Sequence, residues 1–65
     1  MNDSVIIIPT YNEKENIARM IDALMALEHG FDVLVVDDGS PDGTAAIVKG
    51  AMVQYPGRVH ILERS

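Results

Sequence analysis

The chain has 65 residues, of which 48% are hydrophobic, ten acidic and five basic, giving a formal net charge of −5. It is therefore long enough for one folded unit, too apolar for a disordered segment and too short for two domains. The absence of cysteine excludes disulfides and thiolate metal sites, and the acidic balance argues against nucleic-acid binding or a polybasic membrane anchor.

The first predicted element is a buried strand. Residues 5–8 form a continuous run of four apolar, β-branched side chains, which is typical of parallel strands that are buried on both faces. Pro9 is predicted to end the strand because it lacks a backbone N–H. A run of four is far below the roughly 20 apolar residues of a membrane-spanning helix and too short for a signal peptide. The chain is therefore predicted to be cytoplasmic.

A helix is predicted to follow this strand. Asn12 is placed as its N-cap, with Glu15 in the capping-box position three residues later. Gly30 is expected to end the helix. Its apolar side chains recur with helical spacing at Ile17, Met20, Ile21, Leu24 and Leu27.

The second half of the chain repeats this order of elements. A second strand is predicted at residues 33–36, followed by a polar loop, residues 37–44, with three Asp, two Gly and one Pro. Ser40 followed by Pro41 is predicted to start the second helix. Pro56 and Gly57 end it before a third strand at residues 59–62.

The order strand, helix, strand, helix, strand predicts an α/β fold with three parallel strands arranged 3-2-1. Two helices would cover one face of the sheet, and no segment remains for the other. Because continuous apolar strands need cover on both faces, residues 1–65 are predicted to be the truncated part of a larger domain. The chain alone is expected to self-associate through its uncovered face.

Polar side chains follow each strand. Ligands of open parallel sheets bind at the carboxyl ends of the strands, where helix N-termini offer backbone N–H groups that suit phosphate. The candidate residues at this rim are Tyr11, Glu13, Asp37, Asp38, Asp42 and Arg64.

Structural roles compete with ligand binding at these positions. Asp37 and Asp38 point in opposite directions, so one can face a ligand while the other turns into the loop, or both can cap the turn. Tyr11 is either a stacking surface for a base or an ordinary loop aromatic. Glu13 either binds a ribose hydroxyl or is favoured by the helix dipole. Asp42 is most simply a helix-start residue.

Two segments together resemble a known family. Residues 5–13 read VIIIPTYNE and residues 35–44 read VVDDGSPDGT. In this order, with a helix between them, they resemble the start of family 2 glycosyltransferases of the GT-A fold. The second segment is most similar to the dolichol-phosphate or polyprenol-phosphate mannosyltransferase branch. The resemblance covers essentially the whole chain and implies the N-terminal part of a Rossmann-like nucleotide-sugar-binding domain.

The resemblance also implies an activity. Similar enzymes transfer mannose or another hexose from GDP-mannose or a similar donor to a polyprenyl or dolichyl phosphate, with inversion, at the cytoplasmic face of the membrane. Mg²⁺ or Mn²⁺ is implied for the full-length enzyme, but the Asp-x-Asp motif of the family is absent from this chain. Metal ligands and catalytic residues are therefore not expected here, and the chain alone is expected to be inactive. At matching positions, the resemblance implies that the nucleotide-sugar-binding residues are Pro9, Tyr11, Glu13, Val36, Asp37, Asp38 and Arg64.

Two interpretations from other classes remain. Residues 34–38 resemble the acidic strand end of response regulators, although there the Asp pair follows the first strand and here it follows the second. A nucleotide-binding or interaction module without catalysis is the other alternative. A Gly-Leu-Gly stretch and an Asp-x-Asp sequence beyond Ser65 would favour the transferase.

Overall fold

Three strands and two helices alternate along the chain. The computed structural model describes residues 4–27 and 31–64. The strands are all parallel, with β2 between β1 and β3, which confirms the α/β class and the 3-2-1 order. Gly30, the predicted end of the first helix, lies outside the described residues. The elements are β1 Ser4–Thr10, α1 Lys14–Leu27, β2 Phe31–Asp37, α2 Thr44–Gln54 and β3 Val59–Glu63.

The hydrophobic core lies between the two helices and one face of the sheet. Burial of each Ile or Val side chain contributes about 1.5–3 kcal/mol, so this layer is the main source of stability. The Tyr55 hydroxyl donates a hydrogen bond to Asp22 Oδ1 at 2.9 Å and ties the end of α2 to α1. The buried core residues are Ile17, Ile21, Met25, Val33, Val35, Val48, Ala51 and Val59.

The buried face of α1 differs from the predicted one. Ile17 and Ile21 are fully buried as predicted, but Met20 is exposed and Leu27 is 71% exposed. Met25 is buried instead. Met20 and Leu27 lie about 100–120° around the helix axis from Ile21, so they point away from the hydrophobic core that contains Ile21.

β1 continues through Pro9 to Thr10, so the prediction that Pro9 ends the strand is wrong. Pro9 is aligned with Val36, while the Thr10 carbonyl accepts a hydrogen bond from the Asp38 N–H at 3.1 Å. Backbone groups of successive strand residues point to opposite sides, so the Pro9 nitrogen faces the open edge of the sheet. A proline on an edge strand in this orientation removes no ladder hydrogen bond.

The other face of the sheet carries apolar side chains that α1 and α2 do not cover. Ile7, for example, is 60% exposed. The described residues therefore cover one face only, as predicted, and the expectation of strands buried on both faces is not met within this chain. Alternation along the strands and their register place six apolar residues on this open sheet face, namely Val5, Ile7, Pro9, Leu34, Val36 and Leu62.

Candidate functional site

Two loops lie side by side at the carboxyl ends of the strands. The first loop, residues 11–13, joins β1 to α1, and the second loop, residues 38–43, joins β2 to α2. Asp37 of β2 is aligned with Thr10 of β1 and with Glu63 of β3. The segments that follow all three strands therefore start at one level of the sheet, as the sequence predicted.

Asp37 anchors the second loop from below. It is only 2% exposed. Its Oδ1 accepts hydrogen bonds from Thr10 Oγ1 at 2.8 Å and Ser40 Oγ at 2.6 Å, and its Oδ2 accepts one from the Ser40 N–H at 3.1 Å. The Ser40 hydroxyl is the largest cause that holds the pKa of Asp37 below its usual value, against the opposing effect of burial.

Asp38 has the opposite environment. Its side chain is 53% exposed, and its Oδ1 lies 3.3 Å from Arg64 Nε. The Arg64 N–H donates to the Asp37 carbonyl at 2.7 Å, which fixes the backbone at the end of β3. Of the two arrangements left open by the sequence, the structure therefore shows the one in which Asp37 turns into the loop and Asp38 faces the rim.

Side chains from the second loop and the start of α2 hold the backbone of the first loop. The N–H groups of residues 12–14 donate, in order, to Ser40 Oγ at 2.9 Å, Thr44 Oγ1 at 3.1 Å and Asp42 Oδ2 at 3.1 Å. We call Ser40, Asp42 and Thr44 the loop clamp. Three consecutive backbone positions of one loop are thus fixed by side chains of the other.

A carboxylate orients each hydroxyl of the loop clamp. Ser40 Oγ donates to Asp37 Oδ1 at 2.6 Å, and Thr44 Oγ1 donates to Asp42 Oδ1 at 2.5 Å. Asp42 Oδ1 also accepts the Thr44 N–H at 3.0 Å, and the Thr44 hydroxyl is the largest cause that lowers the pKa of Asp42. A hydroxyl that donates to a carboxylate keeps its lone pairs free to accept from a backbone N–H. Two series of hydrogen bonds therefore connect the first loop to a carboxylate, each running from a backbone N–H to a hydroxyl and from that hydroxyl to the carboxylate.

The first helix does not begin at its predicted cap. α1 starts at Lys14, and the Glu13 carbonyl accepts the N–H groups of Asn16 and Ile17 at 3.0 and 2.8 Å. Asn12 has a φ of 56°, a left-handed conformation outside the helix. Because the Lys14 N–H is bonded to Asp42, this helix start does not offer that group to phosphate, contrary to the expectation from sequence.

The second helix also starts later than predicted. α2 begins at Thr44, with Gly43 at the N-cap position and a φ of 92° that suits glycine. Ser40 does not cap it because its hydroxyl is bonded to Asp37 and to the first loop. Asp42, interpreted as a helix-start residue, contacts the first turns of both helices.

The other predicted binding residues lie around the carboxyl end of the open sheet face. Pro9 and Val36 are adjacent in register, and Leu62, which sequence reasoning missed, is the next partner of Val36. Tyr11 and Asp38 are both exposed and lie two residues beyond Pro9 and Val36. Leu62 could have been found from its position two residues before Arg64. Pro9 lies at the same spacing before Tyr11, and Val36 lies at the same spacing before Asp38.

Glu13 is half-buried at the start of α1. Its Oε2 accepts a hydrogen bond from Asn16 Nδ2 at 3.3 Å. This contact and the carbonyl bonds described above give Glu13 a structural role in the helix start, while its contact with a ribose stays a prediction.

The described residues do not fit a divalent cation site. No group of three or more His, Asp or Glu side chains lies close enough together in residues 4–27 and 31–64 to hold a metal ion. Asp37 and Asp42 accept the hydrogen bonds described above, and Asp38 pairs with Arg64.

The described helices are also too short or too polar to cross a membrane.

The rim combines an apolar floor with an exposed aromatic ring, a carboxylate and a guanidinium group. A flat heterocycle can pack on the floor of Pro9 and Val36 or on Tyr11. The Asp38 carboxylate is placed to accept a hydrogen bond from a ligand N–H or O–H. This set of groups suits recognition of a nucleoside and contains no paired nucleophile and base.

Comparison with known proteins shows which family the sequence is similar to. The family model described as "Glycosyl transferase family 2" matches residues 5–65. No solved structure matches the chain significantly.

Three curated relatives are each similar to more than four fifths of the chain. Polyprenol monophosphomannose synthase of Mycolicibacterium smegmatis is 42% identical over 62 residues, which cover 95% of this chain and 23% of that protein. Undecaprenyl-phosphate mannosyltransferase of Micrococcus luteus is 44% identical over 59 residues, 91% and 24% of the two chains. Dolichol-phosphate mannosyltransferase of Pyrococcus furiosus is 41% identical over 58 residues, 83% and 16%. The chain thus spans less than a quarter of the length of these relatives.

Proposed function

The chain belongs to glycosyl transferase family 2, and we propose that it forms part of the donor site of a hexosyltransferase that acts on a prenyl phosphate. The donor would be GDP-mannose or a similar nucleotide sugar, and the hexose would pass with inversion to a polyprenyl or dolichyl phosphate. The names of the three relatives, which combine mannose transfer with a prenyl phosphate, support this acceptor class. Residues 1–65 would be the N-terminal portion of the nucleotide-sugar-binding domain.

One observation carries the assignment of this chain to the donor side. Pro9 and Val36 lie adjacent at the carboxyl end of the open sheet face, with exposed Tyr11 and Asp38 two residues further along the same strands. In our proposal the base packs against this floor and Tyr11. Asp38 accepts a hydrogen bond from the base or the ribose.

The remaining candidates act around this centre. Arg64 lies beside Asp38 at 3.3 Å and balances its charge until a ligand competes for either group. Asp37 supports the second loop from below. Glu13, at the start of α1, is the candidate for a ribose hydroxyl.

The proposed chemistry needs groups that the described residues do not supply. The Mg²⁺ or Mn²⁺ implied by the resemblance would be held by residues other than those that the structure describes, because residues 4–27 and 31–64 do not fit a cation. A phosphate acceptor is already a nucleophile and needs little help from a general base. We therefore expect that the isolated 65-residue chain transfers no sugar from any nucleotide donor above a metal-only blank.

The alternatives differ in how they relate to the family. The match to glycosyl transferase family 2 replaces the response-regulator interpretation. A nucleotide-binding module without catalysis describes what we propose for the isolated chain. Because the proposed acceptor is a membrane lipid, we propose that the full-length enzyme acts at a membrane, and the resemblance implies its cytoplasmic face.

The test is a titration of the full-length protein with GDP, UDP and their sugars. We expect one nucleotide to bind, and Asp38→Asn to weaken its binding about tenfold, the effect of losing one hydrogen bond to a charged group. Asp22→Asn, the same change on the exposed side of α1, is the matched control and leaves affinity unchanged. Wild-type protein that binds no nucleotide, or equal affinity in both variants, would contradict the proposal.

A further inference from the structure

The loop clamp connects the two loops that carry the proposed donor-binding residues. Tyr11 and Glu13 lie in the first loop, and Asp38 begins the second. Resting on the function proposed above, we propose that Ser40, Asp42 and Thr44 are positioning residues of the donor site. They hold the first loop, through its backbone, in the conformation that binds a nucleotide sugar.

The clamp fixes a conformation that the first loop would seldom adopt alone. Asn12, directly after Tyr11, has a φ of 56°. Asparagine adopts this left-handed conformation more readily than most non-glycine residues, but it is still a minority conformation. The Asn12 N–H donates to Ser40 Oγ at 2.9 Å. The position of Tyr11 therefore depends on a contact made by the other loop.

A local solution for the same backbone groups was available in the sequence. Asn12 and Glu15 have the spacing of a capping box, which satisfies N–H groups at a helix start from within one segment. The structure instead uses side chains that lie 28–31 residues away. Stability of α1 alone does not require this arrangement, whereas a ligand that contacts both loops does require a fixed distance between them.

The clamp is itself rigidly supported. Thr44 is fully buried, and its hydroxyl bridges the Glu13 N–H and Asp42 Oδ1. Ser40 is joined through Asp37 to Thr10 at the end of β1. The first loop is thus connected through Ser40 and Asp37 to the sheet and through Thr44 to the start of α2. Such support favours a preorganised binding site.

The decisive variant is Thr44→Val in the full-length protein. Valine keeps the shape of threonine but removes the acceptor for the Glu13 N–H and the donor to Asp42. We expect the dissociation constant and the KM for the nucleotide sugar to rise about tenfold, while the KM for the prenyl phosphate stays unchanged. Thr44→Ser restores the hydroxyl and should return donor affinity to within about threefold of wild type.

A matched control separates positioning from general loss of stability. Tyr55→Phe also removes a side-chain hydrogen bond between α2 and α1, but at the other end of the helices, from the Tyr55 hydroxyl to Asp22. It should leave donor affinity unchanged. If it weakens donor binding as much as Thr44→Val does, or if Thr44→Val binds donor like wild type, the positioning role is overturned.

A second measurement keeps the test sharp if Thr44→Val folds poorly. Ser40→Ala removes the acceptor of the Asn12 N–H at a half-buried position, and amide hydrogen exchange at residues 12–14 should accelerate without any ligand present. Unchanged exchange there, with unchanged donor affinity, overturns the positioning role while wild-type binding still supports the function. Wild-type protein that binds no nucleotide sugar overturns both.

Discussion

At the scale of single residues, the two adjacent aspartates show what the sequence could and could not determine. Alternation along a strand predicted that Asp37 and Asp38 point in opposite directions. Which one points inward depends on the face that the helices cover, and β2 is apolar on both faces, so the pattern is silent on this choice. In the structure Val33, Val35 and Asp37 share the covered face, so Asp37 is the buried one.

This difference predicts effects of very different size for the same substitution. Asp37→Asn places an amide N–H₂ among the Thr10 and Ser40 donors, which should lower the free energy of unfolding by about 1.5–3 kcal/mol. Asp38→Asn, at an exposed ion pair with Arg64, should change it by less than about 0.5 kcal/mol. Urea denaturation of the two variants checks this, and equal losses would contradict it.

The lowered pKa of Asp37 adds a pH dependence. Its folded-state pKa lies below the usual 3.8, so the stability it contributes is present above the unfolded-state pKa and is lost as the pH falls through the folded-state pKa. The stability advantage of wild type over Asp37→Asn should therefore be constant near neutral pH and shrink below about pH 4. The charge of Asp42 is the smallest of the causes acting on the pKa of Asp37, so the pH dependence of the difference reflects mainly Asp37 itself. Urea midpoints measured as a function of pH test it, and an advantage that grows in acid would refute it.

At the scale of elements, the strands and helices were predictable and the starts of the helices were not. Continuous apolar runs and one turn of Pro56 and Gly57 located the elements because those signals are local. The predicted caps at Asn12 and Ser40 failed because the acceptors that hold the first loop come from the second. A contact between segments 28 residues apart leaves no local pattern.

Two glycines in the second half of the chain predict opposite changes in the free energy of unfolding when each is replaced by alanine. Gly57 has a φ of 79° in the turn closed by the Arg58 N–H and the Tyr55 carbonyl, so Gly57→Ala should destabilise by about 1–2 kcal/mol. Gly50 lies inside α2, and an added Cβ meets nothing within 4 Å. Gly50→Ala should therefore stabilise by about 0.5–1 kcal/mol. Thermal or urea unfolding measures both, and equal signs would count against the backbone argument.

At the scale of the whole molecule, the open sheet face is the dominant feature of the isolated chain. An exposed apolar sheet surface with an open strand edge favours association, so we expect the 65-residue chain to form dimers or larger assemblies. Ile7→Lys, in the middle of the edge strand β1 and at 60% exposure on this face, should shift the chain to monomer. Val53→Lys, on α2 at 83% exposure, is the control and should change nothing. Sedimentation velocity decides, and a wild-type monomer at high concentration would contradict the expectation.

The loop clamp also bears on the order in which the chain acquires structure. Its contacts join residues that are 28–31 positions apart in the sequence. The N-terminal segment alone therefore cannot fix the first loop. The entropy lost when the intervening chain is closed into a loop is compensated only once β2 has paired with β1. During synthesis, a nascent chain whose Thr44 has not yet left the ribosome would contain the first strand and the first helix, but the loop between them would not yet have a fixed conformation. The first binding loop would then be completed in the same step as the second, late in the folding of this unit.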